Sequence, residues 1–278
     1  MSLREKIKTV MHSNVVLESI LNYERKIQFY YVPHITFTHQ KKQRIIGKAG
    51  DIYIERIKKY KNIHKEDRCF IVCTGPSLTN NDLNLIRNEF SFGMNSIVLQ
   101  DNWHPTYYGI QDIHVYEKMK EQIHNYTKEI PTFMTKDIFI SGRDDFANRE
   151  NIIVMPVYGS DHLVNPESDR FEFSEDCYIQ IHDGYSITIS LIQLAYYMGF
   201  REIYLLGADT NYDKNGSQHF IDFEVDDKYI FKSKDRNIRM YEKVKSFADQ
   251  NGLKIYNATR GGMLEVFPRV NLDEMELK

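Results

Sequence analysis

From residue 68 onward, short apolar runs alternate with longer amphipathic ones. Cys69-Phe-Ile-Val-Cys73 is an apolar run that stops at the turn signal Thr74-Gly75-Pro76, the length of one buried strand. Ser77 or Thr79 can then cap a helix reaching about Arg87, and Thr79 with Asp82 has capping-box spacing. Phe92–Leu99 and Tyr107–Asp112 read as the next strands, Val115–Tyr126 as a helix, and Pro131–Met134 and Ile152–Val157 as short strands. Ser186–Met198 is a helix whose Ile187, Leu191, Leu194 and Ala195 would face a sheet, with Gly199 ending it. Arg201–Asp209 is the longest apolar strand, followed by a helix over Asn237–Asn251 and a final strand over Leu253–Tyr256. Such alternation predicts an α/β fold: a mostly parallel, Rossmann-like sheet with helices on both faces.

The pattern before residue 66 is different. Residues 3–30 carry apolar positions at helical intervals. Tyr30–Thr38 is rich in β-branched and aromatic residues but interrupted by Pro33, which predicts a loop or edge strand. Gly47 to Gly50 breaks the chain, Asp51–Tyr60 reads as a helix, and Lys61–Asp67 is a polar connector. The division expected is a basic, mainly helical N-terminal extension over 1–65 and a Rossmann-like domain over 66–278. The stretches 158–180 and 210–235 read as polar surface loops.

Charge sharpens that division. Residues 1–65 hold 14 Lys/Arg and 5 Asp/Glu, a net of +9, whereas the remainder of the chain is net −12. A basic extension suits an anionic partner, such as the inner surface of a membrane, or the flank of an acidic body. Its basic residues are scattered, and no nucleic-acid partner is expected. No apolar run approaches the roughly 20 residues of a membrane span, and Met1-Ser-Leu-Arg-Glu5 lacks the apolar core of a secretory signal. Cys69, Cys73 and Cys177 have no zinc-type spacing. Three cysteines fit a reducing cytoplasm, where the protein is expected.

In a sheet of this class, ligands bind beyond the carboxyl ends of the strands. The residues predicted there are Thr74, Gly75, Pro76, Ser77, Asn95, Gln111, Asp112, Asp209 and Asn257 to Gly262, including Gly261 and Gly262. The Thr74–Ser77 turn ahead of a helix presents free backbone N–H groups, a natural seat for phosphate, although an ordinary βα turn has the same form. Asp209 can bind Mg²⁺, act as a base or hold a ribose, or simply cap a loop. Asn95 can hydrogen-bond a base, sugar or phosphate, or serve as a turn residue. Asp183-Gly184 permits close approach of a ligand to a helix N-terminus, or is an N-cap. His219, in Gly216-Ser-Gln-His219, is the histidine best suited to acid–base work. Walker A, dinucleotide, nucleophile-elbow and His-Glu-x-x-His signatures are all missing.

The series Cys69-Phe-Ile-Val-Cys-Thr-Gly-Pro-Ser-Leu78, Phe92-Gly-Met-Asn95, Trp103-x-Pro-Thr-Tyr-Tyr108, Asp183-Gly-Tyr-Ser-Ile187, Gly199-Phe-Arg-Glu-Ile-Tyr-Leu-Leu-Gly-Ala-Asp209, Gly216-Ser-Gln-His219 and Asn257-Ala-Thr-Arg-Gly-Gly262 resembles the 6-hydroxymethylpterin diphosphokinase MptE-like family. That family includes the motility accessory factors linked to flagellin glycosylation. The resemblance covers about residues 68–268. Cys73-Thr-Gly-Pro-Ser-Leu78, Met94-Asn95-Ser96 and Phe200 to Asp209 are also similar to motifs of the bacterial family 42 sialyltransferases. Gln180 and Lys232 stand where those enzymes carry an arginine and the catalytic histidine, which leaves Asp209 or His219 as candidate base.

These resemblances imply a glycosyltransferase with a nucleotide-sugar donor of CMP type, acting on a glycan or glycoprotein acceptor in surface-glycan or flagellin glycosylation. Mg²⁺ on Asp209 and an oligomeric state are compatible with that reading. The alternatives are a Mg-ATP-dependent pyrophosphokinase acting on a hydroxymethylpterin-like alcohol, and a non-catalytic nucleotide-binding protein.

Overall fold

A computed structural model describes residues 15–159, 170–210 and 234–278. They fall into two compact units that divide between Ala49 and Gly50; Tyr158, Gly159 and Arg170 belong with the N-terminal one. The composition boundary near residue 65 lies later, because Ile54 and Ile57 sit in the core of the larger unit.

The larger unit is built on seven parallel strands: β1 (Arg68–Val72), β2 (Phe90–Met94), β3 (Tyr107–Ile110), β4 (Thr132–Met134), β5 (Ile152–Val154), β6 (Glu202–Leu206) and β7 (Lys254–Asn257). Their order across the sheet is β5-β4-β3-β2-β1-β6-β7. The apolar runs became strands, the inner ones buried on both faces, as parallel sheets require. The chain leaves β1 toward β2 and later returns to β1's other side with β6. The switch point of the topology therefore lies between β1 and β6, the crevice where open α/β sheets bind ligands.

Register decides what covers each face. Cys73, Met94 and Gly109 point toward the 12-residue helix Ile187–Met198: Thr188 Oγ1 lies 3.4 Å from Cys73 Sγ and 3.6 Å from Met94 Sδ. A Cβ on Gly109 would come within 2.8 Å of Leu191. On the opposite face, Phe70 stacks on Tyr204 and Tyr204 on Tyr256, with ring centroids 5.1 and 5.2 Å apart, while Tyr108 packs edge-on against Tyr126. Helices thus cover both faces.

Three local predictions are corrected. Asn95–Leu99 is a 3₁₀ helix rather than the end of a strand, because Asn95 takes a left-handed conformation (φ 47°) that no strand continues. Val115–Tyr126 is two helices, Ile113–Lys118 and Lys120–Tyr126, broken at Met119. Tyr30–Thr38 is helical. The π turn Ile27–Tyr31 leads into the helix Val32–Ile45, and Val32 N–H donates to Ile27 O. That turn places Pro33 in the first turn of the following helix, where its missing donor costs nothing.

Candidate functional site

The Thr74–Ser77 loop leaves β1 beside the end of β6. Gly75 N–H donates to Gly207 O at 3.0 Å, and Leu78 N–H donates to Gly75 O at 3.2 Å, closing a turn with Pro76 at its second position. Beyond it, Thr79 Oγ1 accepts from Asp82 N–H and Asp82 Oδ2 accepts from Thr79 N–H, the capping box read from the sequence, at the start of helix Asn80–Leu85. Ser77 Oγ donates to Asp209 Oδ2 at 2.8 Å, with Ser77 N–H 3.4 Å from the same oxygen. Gly75 admits no other residue, since a Cβ there would lie 2.0 Å from Asp209 Oδ2 and 2.4 Å from Gly207 O.

Asp209 is the hinge of this arrangement. It is nearly buried. Burial pushes its carboxyl above the usual aspartate range, against the opposing pull of the Ser77 hydrogen bonds and of Arg269. Its backbone carbonyl accepts from Met263 N–H at 2.7 Å. Gly262 (φ 77°) lies against it, and a Cβ there would sit 2.5 Å from Asp209 O. Gly261 faces Ser77, with its Cβ position 3.9 Å from Ser77 Cβ. Gly75, Ser77, Asp209, Gly261 and Gly262, predicted from places far apart in sequence, form one cluster.

Behind it the loop after β7 is fixed from below. Arg269 donates to the carbonyls of Thr259, Gly261 and Gly262. Arg260 joins Asp273 in a two-pronged ion pair at 2.7 Å and reaches the fully buried Asp82 at 2.5 Å, which pushes its own pKa up. Ala208 N–H donates to Thr259 Oγ1 at 2.9 Å. Arg260 lies within the candidate stretch 257–262, whereas sequence reasoning missed Arg269 and Gly207 (φ 67°). Of these, only Gly207, at the end of an apolar run, carried a readable signal.

The N-terminus of helix Ile187–Met198 closes the crevice from the β1–β2 side. Ser186 Oγ caps it by accepting from Thr188 N–H, and its first turn holds no acidic residue. Asp183 Oδ1 accepts from Tyr185 N–H, while Gly184 (φ 53°) and Tyr185 (φ 64°) are both left-handed. The Arg236 guanidinium lies 4.0 Å from the Tyr185 ring centroid, a contact the sequence did not suggest. Thr188 contacts the last residue of β2 and the residue after β1, so the positive end of the helix dipole lies at the carboxyl ends of these two strands.

Three buried oxygens at these strand ends have no hydrogen-bond partner among the described residues: Asn95 Oδ1, Ser96 Oγ and Thr210 Oγ1. Asn95 O accepts from Tyr108 OH at 2.9 Å. Asp112 is exposed and caps the helix Ile113–Lys118 by accepting from His114 N–H. Its neighbour Gln111 reaches Ser190 at 2.8 Å. His219 and Lys232 lie outside the described residues. Burial pushes the Cys73 thiol up to about 12, so it is a packing group rather than a nucleophile.

No family model matches the chain, and no curated protein matches it. Among solved structures it is similar to that of the MAf glycosyltransferase from Magnetospirillum magneticum AMB-1, at 14% identity with a TM-score of 0.46. That similarity covers 81% of this chain and 39% of the other, so the chain spans about two fifths of that protein's length.

Among the described residues no group of three His, Cys, Asp or Glu is placed to hold a metal. At the switch point Asp209 supplies one carboxylate. This fits the habit of Mg²⁺, which takes one or two protein carboxylates and fills its shell with water and substrate phosphate. No helix among the described residues is long and apolar enough to cross a membrane.

Proposed function

We propose that the larger unit is a glycosyltransferase domain that binds a nucleotide-activated sugar, of CMP type, and transfers the sugar to a glycan or glycoprotein acceptor in surface-glycan or flagellin decoration. The observations that carry this reading are the glycine turn between β1 and β6, the capped N-terminus of Ile187–Met198 beside the ends of β1 and β2, and buried oxygens after β2 and β6 that lack partners among the described residues. The Thr74–Ser77 backbone and the N-terminus of Ile187–Met198 receive phosphate. Asn95 addresses the nucleotide through its free Oδ1. Asp209 holds Ser77, and with it the loop, in the receiving geometry, and the raised pKa of its carboxyl suits a proton acceptor. Mg²⁺, if used, is held by Asp209 and the donor phosphates and supplies charge neutralisation. His219 is the second candidate base. The reading places the protein in the cytoplasm.

The test is thermal stabilisation by CMP, CMP-sugars, UDP, GDP and ATP, each with and without Mg²⁺. Occupancy at a hundredfold excess over Kd adds about 2.7 kcal/mol. A rise with CMP compounds supports the proposal, and CMP-sugar hydrolysis is the following assay. A rise confined to ATP with Mg²⁺ replaces it with a pyrophosphokinase acting on a hydroxymethylpterin-like alcohol. Binding without turnover points to a non-catalytic nucleotide-binding protein.

A further inference from the structure

The smaller unit carries a feature that the nucleotide site does not use. From Val15 to Ile45 the backbone is helical without a break, as Val15–Lys26, the π turn Ile27–Tyr31 and Val32–Ile45 follow directly on one another. At about 1.5 Å per residue this rod is roughly 45 Å long. Its two sides differ. Tyr30, His34 and Phe37 form one side: His34 Nδ1 lies 2.8 Å from Tyr158 OH, and the Phe37 and Tyr158 rings are 5.1 Å apart. The other side presents Ile20, Tyr23, Ile27, Tyr31, Val32 and Ile35, each at least 40% exposed. Steps of three and four residues align Ile20, Tyr23, Ile27, Tyr31 and Ile35 in one stripe, with Val32 flanking it beside Tyr31.

Surface helices of globular units keep such a stripe toward a core. Here five large apolar side chains face outward in a row with a sixth beside them, which marks an interaction surface rather than scatter. Charge identifies the occupant. Residues 1–49 hold nine Lys/Arg and three Asp/Glu, while the chain beyond them is net −9. Lys26 and Lys42 on the rod, and Lys48 just beyond it, are exposed. A second copy of the same rod would bring like charges together. An anionic lipid surface would attract them, at about 1 kcal/mol per basic residue near the headgroups. Isoleucine and tyrosine suit the acyl–headgroup boundary, where an apolar body and a hydroxyl are both satisfied.

We propose that the rod lies flat on an anionic membrane with the Ile20–Ile35 stripe immersed, as interfacial amphipathic helices do. The proposal is independent of the nucleotide reading and leaves it intact if it fails.

The experiment is flotation of the full chain with phosphatidylcholine vesicles, with and without phosphatidylglycerol. Binding to the anionic vesicles should exceed binding to the neutral ones by at least about tenfold and fall with added salt. The pair Ile27→Glu and Tyr31→Glu should lower binding at least about tenfold. Both side chains are exposed, so circular dichroism and melting temperature should stay as in the parent. Lys42→Gln and Lys48→Gln should each lower it about fivefold. Three results would overturn the proposal: no flotation with anionic vesicles, flotation unchanged by the glutamate pair, or a dimer that needs the stripe and ignores vesicles.

Discussion

The two ends of the parallel sheet use polar residues in opposite ways. At the amino ends of the strands, His64 is sandwiched between Phe90 and Phe200, with Asp67 at 3.2 Å on one ring nitrogen and Tyr107 OH at 2.6 Å on the other. Nearby, Arg68 pairs with the buried Glu89 at 2.7 Å. Burial would raise the Glu89 carboxyl, but Arg68 and the Lys278 N–H bring it below the usual range. At the carboxyl ends, Asn95, Ser96 and Thr210 keep buried oxygens without partners among the described residues. Left-handed residues do not separate the two ends, since Asn62 and Glu66 adopt that conformation before β1 just as Asn95 and Thr210 do after β2 and β6. Satisfaction separates them. A buried polar atom with no partner costs about 1–3 kcal/mol. Where such atoms lie at the carboxyl ends of parallel strands, a ligand is the natural partner.

Substitutions at the two ends should act differently. The largest effect is expected from Gly75→Ala, whose methyl group would meet both Asp209 Oδ2 and Gly207 O. It should cost about 3 kcal/mol and abolish nucleotide stabilisation together, measured by urea unfolding with and without CMP. A smaller loss, about 2 kcal/mol, is expected for His64→Ala, from cavity and lost hydrogen bonds. The shift produced by CMP should survive it; disappearance of that shift would mean that the two ends are not separable.

Asp209→Asn sharpens the contrast from the other side. Asparagine keeps an oxygen for Ser77 and removes a desolvated charge. Stability at neutral pH should therefore hold or rise by up to about 1 kcal/mol while the nucleotide response falls. The pH dependence has a fixed sign. The folded pKa of Asp209 is raised, so its contribution to stability is fully present below the unfolded value and is lost as pH rises through the folded value. Melting curves should show the parent gaining on Asp209→Asn as pH falls from neutral; the opposite trend would remove desolvation as the cause. The smallest effect on stability is expected from Asn95→Gly. Relief of left-handed strain offsets the entropy that glycine restores to the unfolded chain, leaving stability within about 0.5 kcal/mol. Loss of the orphan Oδ1 should still weaken nucleotide binding, as titration calorimetry would record.

Much of the sheet was legible because a buried parallel strand is a continuous apolar run, and each of the seven begins within two residues of such a run. The capping box of Thr79 and Asp82 and the left-handed Gly199 were legible for the same local reason, as their function is written in neighbouring residues. Illegibility began where structure depends on distant partners. Ser96-Ile-Val-Leu99 has strand composition, but left-handed Asn95 and burial under the sheet turn it into a 3₁₀ helix. A π turn decided the helix after Tyr31, against composition. In the candidate site, the strand-end position of Asp209 could be read, whereas its bond to Ser77 could not. Arg269 is one arginine among several in the sequence; only the folded loop reveals that it gathers three carbonyls.

The link from Asp82 through Arg260 to Asp273 has a consequence in evolutionary time. One buried carboxylate caps the helix after β1 and anchors the loop after β7 through a single guanidinium. Positions 82, 260 and 273 then form one heritable character. A lineage that replaces Arg260 strands the Asp82 carboxylate in the interior, and drift at the three sites should be concerted, with intermediates rare among descendants.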